Sequence, residues 1–483
     1  MIEGLRPYSE MKPSGVAWLG DVPAHWDVVT LGKLGRVFKG NGGSKADEAA
    51  SGVPCVRYGD LYTRHEFFIH ASRSFVNAER AAAYTPIHYG DVLFAASGET
   101  IEDIGRSAAN LIEGRAVCGG DVVVLRPHVG IEPKFLGYAA NSSPASSQKS
   151  LVGKGFTVVH IYAGDLKRIW LTLPPPTEQD LIVRFLTRAD RLIGRYIRTK
   201  QALIRLLEEQ KQAIIHRAVT RGLDPRVGVK PSGVDWISEI PSHWAVEKLF
   251  RVTDPKRPIR YGIVLPGPNV EDGVPIVKGG NCEPGKLRLD RLSRTTREID
   301  LAHPKSRLRQ NDIVFAIRGG VGAAELVPAE LDGANLTQDA ARIAAGRGID
   351  ERWLLHALRS PSFQEQINAR VLGATIRGIN IRDLRRAELC VPPEHEQEAI
   401  AQYLAAALAR PSSAVASTNR EIALLREYRT RLIADVVTGK LDVREAAARL
   451  PVEVGAEDAE IFDAADDLDG EEADDEVTED EAA

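Results

Sequence analysis

In the first half of this 483-residue chain, three phrases set glycine beside basic or hydroxyl side chains: Arg57-Tyr58-Gly59, Ser97-Gly98-Glu99-Thr100, and Lys154-Gly155-Phe156-Thr157 running on to His160. The second half carries a matching set: Lys278-Gly279-Gly280-Asn281, Arg318-Gly319-Gly320, and a segment holding Thr375, Arg377 and Asn380. Glycine lets backbone N–H groups approach a phosphate closely, and Arg, Lys and Asn supply the donors that base edges and phosphates accept. The chemistry on offer is recognition of a polyanion. Each of these side chains is equally at home on a solvated surface.

Bond-making and bond-breaking motifs do not accompany them. The prolines of LPPPTE and VPPEHE lack both the polar first residue and the final aromatic of the [DNS]PP[YF] motif of amino-methyltransferases. GNCEPGKL at 280–287 approaches a P-loop, but Leu287 stands where Ser or Thr would hold Mg²⁺, and Pro284 suits a turn. Neither HExxH nor GxSxG occurs, and the 11 histidines show no ligand spacing, so no catalytic residue and no metal site is assigned. His25 and His243 stand beside tryptophans in a repeated phrase and read as packed structural residues. Cys55, Cys118, Cys282 and Cys390 are scattered without a CxxC pair. That suits a reducing cytoplasm, without disulfides or a zinc site.

The elements that must position the six glycine phrases come as a tandem repeat. KPSGVAWLGDVPAHWDVVTL at 12–31 returns as KPSGVDWISEIPSHWAVEKL at 230–249, with Trp18/Trp236, Pro23/Pro241, His25/His243 and Trp26/Trp244 in register. LPPPTEQDLIVRFL at 173–186 returns as VPPEHEQEAIAQYL at 391–404, and AVTRGLD at 218–224 as VVTGKLD at 436–442. All three pairs share a shift of 218 residues. Between them the likeness thins: GDVLFA (90–95) meets NDIVFA (311–316) at a shift of 221, and GFTVVHIYAGDL (155–166) meets GATIRGINIRDL (373–384) back at 218. A framework is kept while its middle diverges. An old duplication that simply drifted would leave a similar trace.

Short apolar runs punctuated by Gly, Pro and Asp, such as VPCVRYG, DVLFAAS, VVVLR and IWLTLP, then VPIVKGG, DIVFAIRGG and AELCVP, predict strands of a β-rich α+β domain in each half. Helices are expected at 132–150 and 350–369. After each domain a proline stop precedes a long helical pattern, with Thr177 and Asp180 at capping-box spacing. The 3–4 spacing of Ile197, Lys200, Ile204, Leu207, Lys211, Ile214 and Ala218 is matched by Val415, Thr418, Ile422, Leu425, Arg429, Leu432 and Val436, as in a coiled-coil seam with polar interruptions at equivalent places. Single core helices of a bundle would show the same spacing. Pro411 predicts a break in the second pattern. The resulting division is a domain at 12–173, a helical spacer at 174–224, a second domain at 230–391, a second spacer at 392–443, and a tail at 451–483.

The net charge of −5 conceals an asymmetry. The tail holds 16 Asp and Glu and no Lys or Arg, which leaves +11 on the first 450 residues. A basic body fits a polyanionic partner, and the one-signed tail reads as disordered and solubilising, or as a competitor for the basic surface. No apolar run is long enough to span a membrane and no apolar leader opens the chain, so a cytoplasmic protein is expected.

The tandem halves, the W-x7-W phrase near each start, the PP-x-x-EQ phrase and the long helices together resemble the specificity (S) subunits of type I restriction–modification systems, over about residues 12–443. The resemblance implies two target-recognition domains in tandem, each followed by a long helix, with the helices paired as an antiparallel coiled coil and the whole pseudo-two-fold. It implies a non-catalytic subunit that reads a split double-stranded DNA site, one domain per half-site. Its partners would be two methyltransferase subunits and restriction/translocase subunits. S-adenosylmethionine, ATP and Mg would then belong to those partners, with no cofactor bound by this chain. A helix of about 25 residues spans roughly 35–40 Å, near one DNA turn. The alternative is a tandem-repeat scaffold that binds proteins and no specific DNA.

Overall fold

The computed structural model describes residues 5–43, 47–128, 130–155, 158–371, 373 and 377–450. Thr157, Thr375 and the acidic tail at 451–483 lie outside the described residues. The described residues form two compact units, those up to 200 together with those from 420 to 450, and those within 201–419.

In the first unit the strands Gly35–Lys39, Val122–Pro127, Val92–Ala95, Ser107–Asn110 and Phe68–Ile69 form a five-stranded sheet in that order. A second sheet runs Glu48–Ala49, Phe75–Val76, Val53–Val56, Ala116–Cys118 and Thr85–Ile87. The second unit repeats the scheme, with Arg260–Tyr261, Ala340–Ile343, Ile313–Ala316 and Ala324–Leu326 in one sheet and Ser293–Thr295, Val274–Val277 and Asn335–Leu336 in the other. Every apolar run read as a strand is one.

The uninterrupted apolar run of GDVLFA and NDIVFA follows from where its alternate residues go. Val92 and Phe94 enter the core beneath the helices, while Leu93 and Ala95 enter the core toward the second sheet. Ile313 and Phe315 divide from Val314 and Ala316 in the same way. A strand buried on both faces needs no polar alternation, and burying each large side chain contributes roughly 1.5–3 kcal/mol. The first residue of the motif turns in the left-handed region, at φ 88° for Gly90 and 67° for Asn311. Glycine and asparagine are the two residues that tolerate this, hence their exchange between the repeats.

The helices expected at 132–150 and 350–369 are each two. Pro133–Asn141 and Ser143–Val152 meet at Ser142, and Glu351–Arg359 and Pro361–Asn368 meet at Ser360. Pro361 forces Ser360, the residue before it, out of the helical region, while Pro144, with no N–H to donate, sits in the first turn of the second helix, after an extended Ser142.

The long helices are Pro176–Arg221, 46 residues, and Glu394–Val437, 44 residues, each longer than the stretch of about 25 residues that spans one DNA turn. The break expected at Pro411 does not occur; the helix runs through it. One hydrogen bond is lost from a long ladder, and the neighbouring Arg410, Ser412 and Ser413 are exposed, where water can serve the freed carbonyl. Within the first unit the two helices run antiparallel: Asp190 meets Arg429 and Lys200 meets Glu421, and the end of the second helix is fastened by Thr172, on the strand before the first helix, which donates to the Val437 carbonyl. In the second unit Ile215, Ala218 and Val219 share a core with Ile400, Ala401 and Leu404. The seam residues from Ile197 to Ala218 are half-buried or buried, whereas Tyr196, Leu203 and Leu206 off the seam are exposed.

The repeated framework phrases close each unit. Glu178 accepts from Tyr8 and, at 2.8 Å, from His25 Nε2; Glu396 accepts from His243 Nε2 at 2.6 Å and Trp244 Nε1 at 3.0 Å. Next to them Gln179 accepts from the Glu132 N–H at 2.9 Å and Gln397 from the Asp350 N–H at 2.9 Å. The EQ phrase is therefore a latch from the start of each long helix to the tryptophan phrase and to the domain helices. Both histidines bond the glutamate of this phrase, but they are not the packed residues expected: their side chains are 43% and 39% exposed, while the neighbouring Trp26 and Trp244 are the buried members of the tryptophan phrase.

Candidate nucleic-acid interface

The three glycine phrases of each half converge at one end of the central strand. In the first unit Arg57 precedes the short helix Tyr58–Thr63, its N–H donating to Asp60 Oδ2 at 2.9 Å. From that helix Tyr62 stands against Gly98 and donates to the Asp103 carbonyl at 3.3 Å, joining the first phrase to the second. Ser97–Gly98 pairs antiparallel with Val159–His160, and Ser97 Oγ lies 2.9 Å from His160 Nδ1, joining the second to the third. Lys154 and His160 exchange both backbone hydrogen bonds.

The second unit builds the same arrangement. Lys278 precedes a 3-10 turn, Gly279–Cys282, and its N–H donates to Asn281 Oδ1 at 2.9 Å, the counterpart of Arg57 and Asp60. Gly279 sits against the Arg318 carbonyl so closely that a side chain there would collide with it. Gly319 N–H donates to the Arg377 carbonyl at 3.2 Å, Ile379 N–H to that of Ile317 at 2.9 Å, and Arg318 bridges to Gly378. The GNCEPGKL segment is a turn closed by a Glu283–Lys286 ion pair at 2.8 Å.

The side chains differ in how far the fold uses them. Arg57 is held by Glu48 at 2.9 Å, Ser97 by His160, Asn281 by its own turn, and Asn380 caps the helix Ile381–Arg386 through the Asp383 N–H. Thr100 leans on Asp103 at 3.4 Å, and Lys154 lies 3.5 Å from Asp165 and 5.8 Å from the Tyr162 ring centre. Tyr58, Lys278 and Arg377 are exposed, and Arg318 lies 3.9 Å from Asp339 at the solvent boundary. Arg382, exposed two residues beyond Asn380 on the helix it caps, belongs to the same end and lies just past the polar phrase that sequence reading singled out. Tyr62 escaped too, although its i+4 spacing from Tyr58 on a helix was a signal.

The two ends carry different charge. Exposed Glu99 and Glu102 adjoin the first, while Lys278, Arg318, Arg377 and Arg382 dominate the second. Beside the latter, the loop after Arg260–Tyr261 exposes Val264 and Leu265, the leucine at 83%. Among the described residues no group of three or more His, Cys, Asp and Glu side chains could hold a metal ion, and all four cysteines are free and buried. Nor is any helix long and apolar enough to cross a membrane, again among the described residues.

Residues 23–205 match the family model of the type I restriction modification DNA specificity domain. The chain is 28% identical over 293 residues to the type I restriction enzyme EcoBI specificity subunit of Escherichia coli, a match covering 59% of this chain and 61% of that subunit. It is 22% identical over 433 residues to the MjaVIII specificity subunit of Methanocaldococcus jannaschii, covering 88% of this chain and 94% of that one. A chain in a solved structure concerned with complex assembly and conformational transition of the type I R-M system shares the fold, with a TM-score of 0.58 at 18% identity, over 86% of this chain and 98% of that one.

Proposed function

We propose that this chain, a relative of the type I restriction–modification specificity subunits, is the non-catalytic subunit that reads a bipartite DNA target, one unit per half-site. The observation that carries the reading is the convergence of three equivalent loops at the same end of the same scaffold, twice, with different side chains each time. Two readers of unrelated half-sites need that combination: framework contacts position the protein, and divergent side chains meet base edges. Arg318 and Arg377 can serve guanine edges or phosphates. Glu99 and Glu102, if turned to a groove, accept from cytosine amino groups.

Methyl transfer and cleavage, with S-adenosylmethionine, ATP and Mg, fall to methyltransferase and restriction/translocase partners in this reading. Exposed apolar side chains on the long helices, Tyr196 at 61%, Leu206 at 62% and Leu424 at 64%, supply surface for such partners. The length of the helices sets the spacer between half-sites. The test is selection from a random duplex library by the chain assembled with type I methyltransferase subunits. A split motif with a fixed gap is expected, and retention of all sequences alike would overturn the reading. The chain alone is expected to transfer no methyl group and cut no DNA.

A further inference from the structure

At the opposite end of the strand Ile313–Ala316 from Arg318 lies a cavity of about 530 Å³ on the second unit, lined by Lys256, Arg257, Arg260, Lys305, Arg307 and Arg309, with Arg342 beneath. A four-residue strand puts it about 13 Å from the glycine loops. Two of these cations are neutralised: Arg257 grips Asp312 at 2.5 and 2.6 Å, and Arg307 grips Asp300. The rest are in excess. Among the described lining residues Asp332 is the one acid, and its Oδ1 already accepts from the Gln310 N–H at 2.9 Å.

Arg342 is the telling residue. It is 3% exposed, and its guanidinium is spent on carbonyls, those of Lys305 at 2.8 Å, Arg307 at 3.0 Å and Pro258 at 3.3 Å, with Nε left without a partner. Its cross-strand partner in the sheet is Arg260, a like charge directly opposite. Burial and the neighbouring Arg257 both disfavour its charged form. Buried cations are ordinarily matched by a carboxylate, and like charges are not crowded at a sheet edge without compensation. In the first unit the same register position holds the buried, uncharged Val124, and Asp91, the counterpart of Asp312, is held by Arg126 at 2.8 and 3.0 Å.

We propose that this cavity is a phosphate-binding site, separate from the base-reading loops, that takes either a backbone phosphate of duplex DNA or a free polyphosphate. Exposed Arg260, Lys305 and Arg309 would make the contacts, and Arg342 would supply buried positive potential behind them.

The experiment uses the full chain and two probes. Inorganic tripolyphosphate is titrated by calorimetry, and a mixed-sequence duplex is bound by fluorescence anisotropy between 50 and 200 mM salt. The variant Arg260→Ser/Lys305→Ser/Arg309→Ser is compared with the cation-keeping Arg260→Lys/Lys305→Arg/Arg309→Lys, each checked for an unchanged melting curve. Should the serine triple variant not fold, Lys305→Ser and Arg309→Ser are tested singly. Loss of at least about tenfold in tripolyphosphate affinity, restored in the cation-keeping variant, supports the site. A fall of about 2–3 in the slope of log K against log salt for the duplex assigns the phosphate to DNA; an unchanged slope with lost tripolyphosphate binding assigns it to a free anion. Equal behaviour of wild type and serine variants toward both probes, or no binding of either probe by wild type, overturns the proposal. The tripolyphosphate arm is independent of whether the glycine loops read sequence.

Discussion

Arg429 is expected to be the costliest single side chain to lose from the first unit's helix pair. Its guanidinium bonds Asp190 on the first long helix and Glu66 in the strand-rich part of the unit, at 2.8 and 2.6 Å for the latter, and lies 5.4 Å from the Phe67 ring centre. The Asp190 side chain is 8% exposed and that of Glu66 36%. Arg429→Met therefore leaves one carboxylate nearly dry and another that water can reach. Stranding a buried charge costs about 3–5 kcal/mol, and discounting the solvated Glu66 leaves about 2–4 kcal/mol. For a unit of this size that is on the order of 4–16 °C of melting temperature, read by calorimetry on the full chain. Replacing all three groups, Glu66→Leu/Asp190→Leu/Arg429→Leu, is expected to recover most of the loss, since no charge is then stranded. A shift below about 2 °C for Arg429→Met, or a triple variant worse than the single, would refute the reasoning.

Further outcomes follow from other parts of the molecule. Gly439, at φ 75°, leaves no room for a side chain beside Pro23 and Trp26, so Gly439→Ala is expected to cost about 1–3 kcal/mol in the first unit, read by chemical denaturation. Lys149 is fully buried, its amine donating to the Gly105 carbonyl at 2.7 Å and the Ala140 carbonyl at 3.0 Å; burial, then Arg106, lowers its pKa from 10.5 to about 7. Between those values the unfolded chain holds the proton that the folded chain has released, so stability rises with pH, by up to about 1.4 kcal/mol per unit. Lys149→Met is expected to flatten that rise, as melting at pH 7 and pH 9 would show. Inserting four residues after Arg221, at the end of the first long helix, is expected to change the spacer tolerated between half-sites, read by methylome sequencing.

The repeat made most of the scaffold legible, because framework residues answer to packing that is the same in both halves. GDVLFA and NDIVFA announce a doubly buried strand whatever surrounds them, and the seam from Ile197 to Ala218 announces its own face. Pro411 misled because a local rule was applied without knowing that a long, partnered helix can carry one missing hydrogen bond. The loops were found as phrases, but the division of labour within them was not. Asn281 and Asn380 look like base readers in sequence and are turn and cap residues in the fold, since the same amide that suits an adenine also satisfies a nearby backbone N–H. The cavity around Arg342 was invisible. Its cations come from three separated segments, 256–260, 305–309 and residue 342, that only the sheet brings together.

The central claim, that each unit reads its own half-site, is tested most directly by replacing residues 36–152 with the corresponding segment of another such subunit and sequencing the methylome of cells that carry the chimera. One half of the methylated motif is predicted to change while the other half and its spacing persist, because residues 254–370 and both long helices are untouched. With about 1–3 kcal/mol at stake per mismatched base pair, the altered half should be sharply defined. A chimera that altered both half-sites, or that kept the original motif entire, would contradict the account.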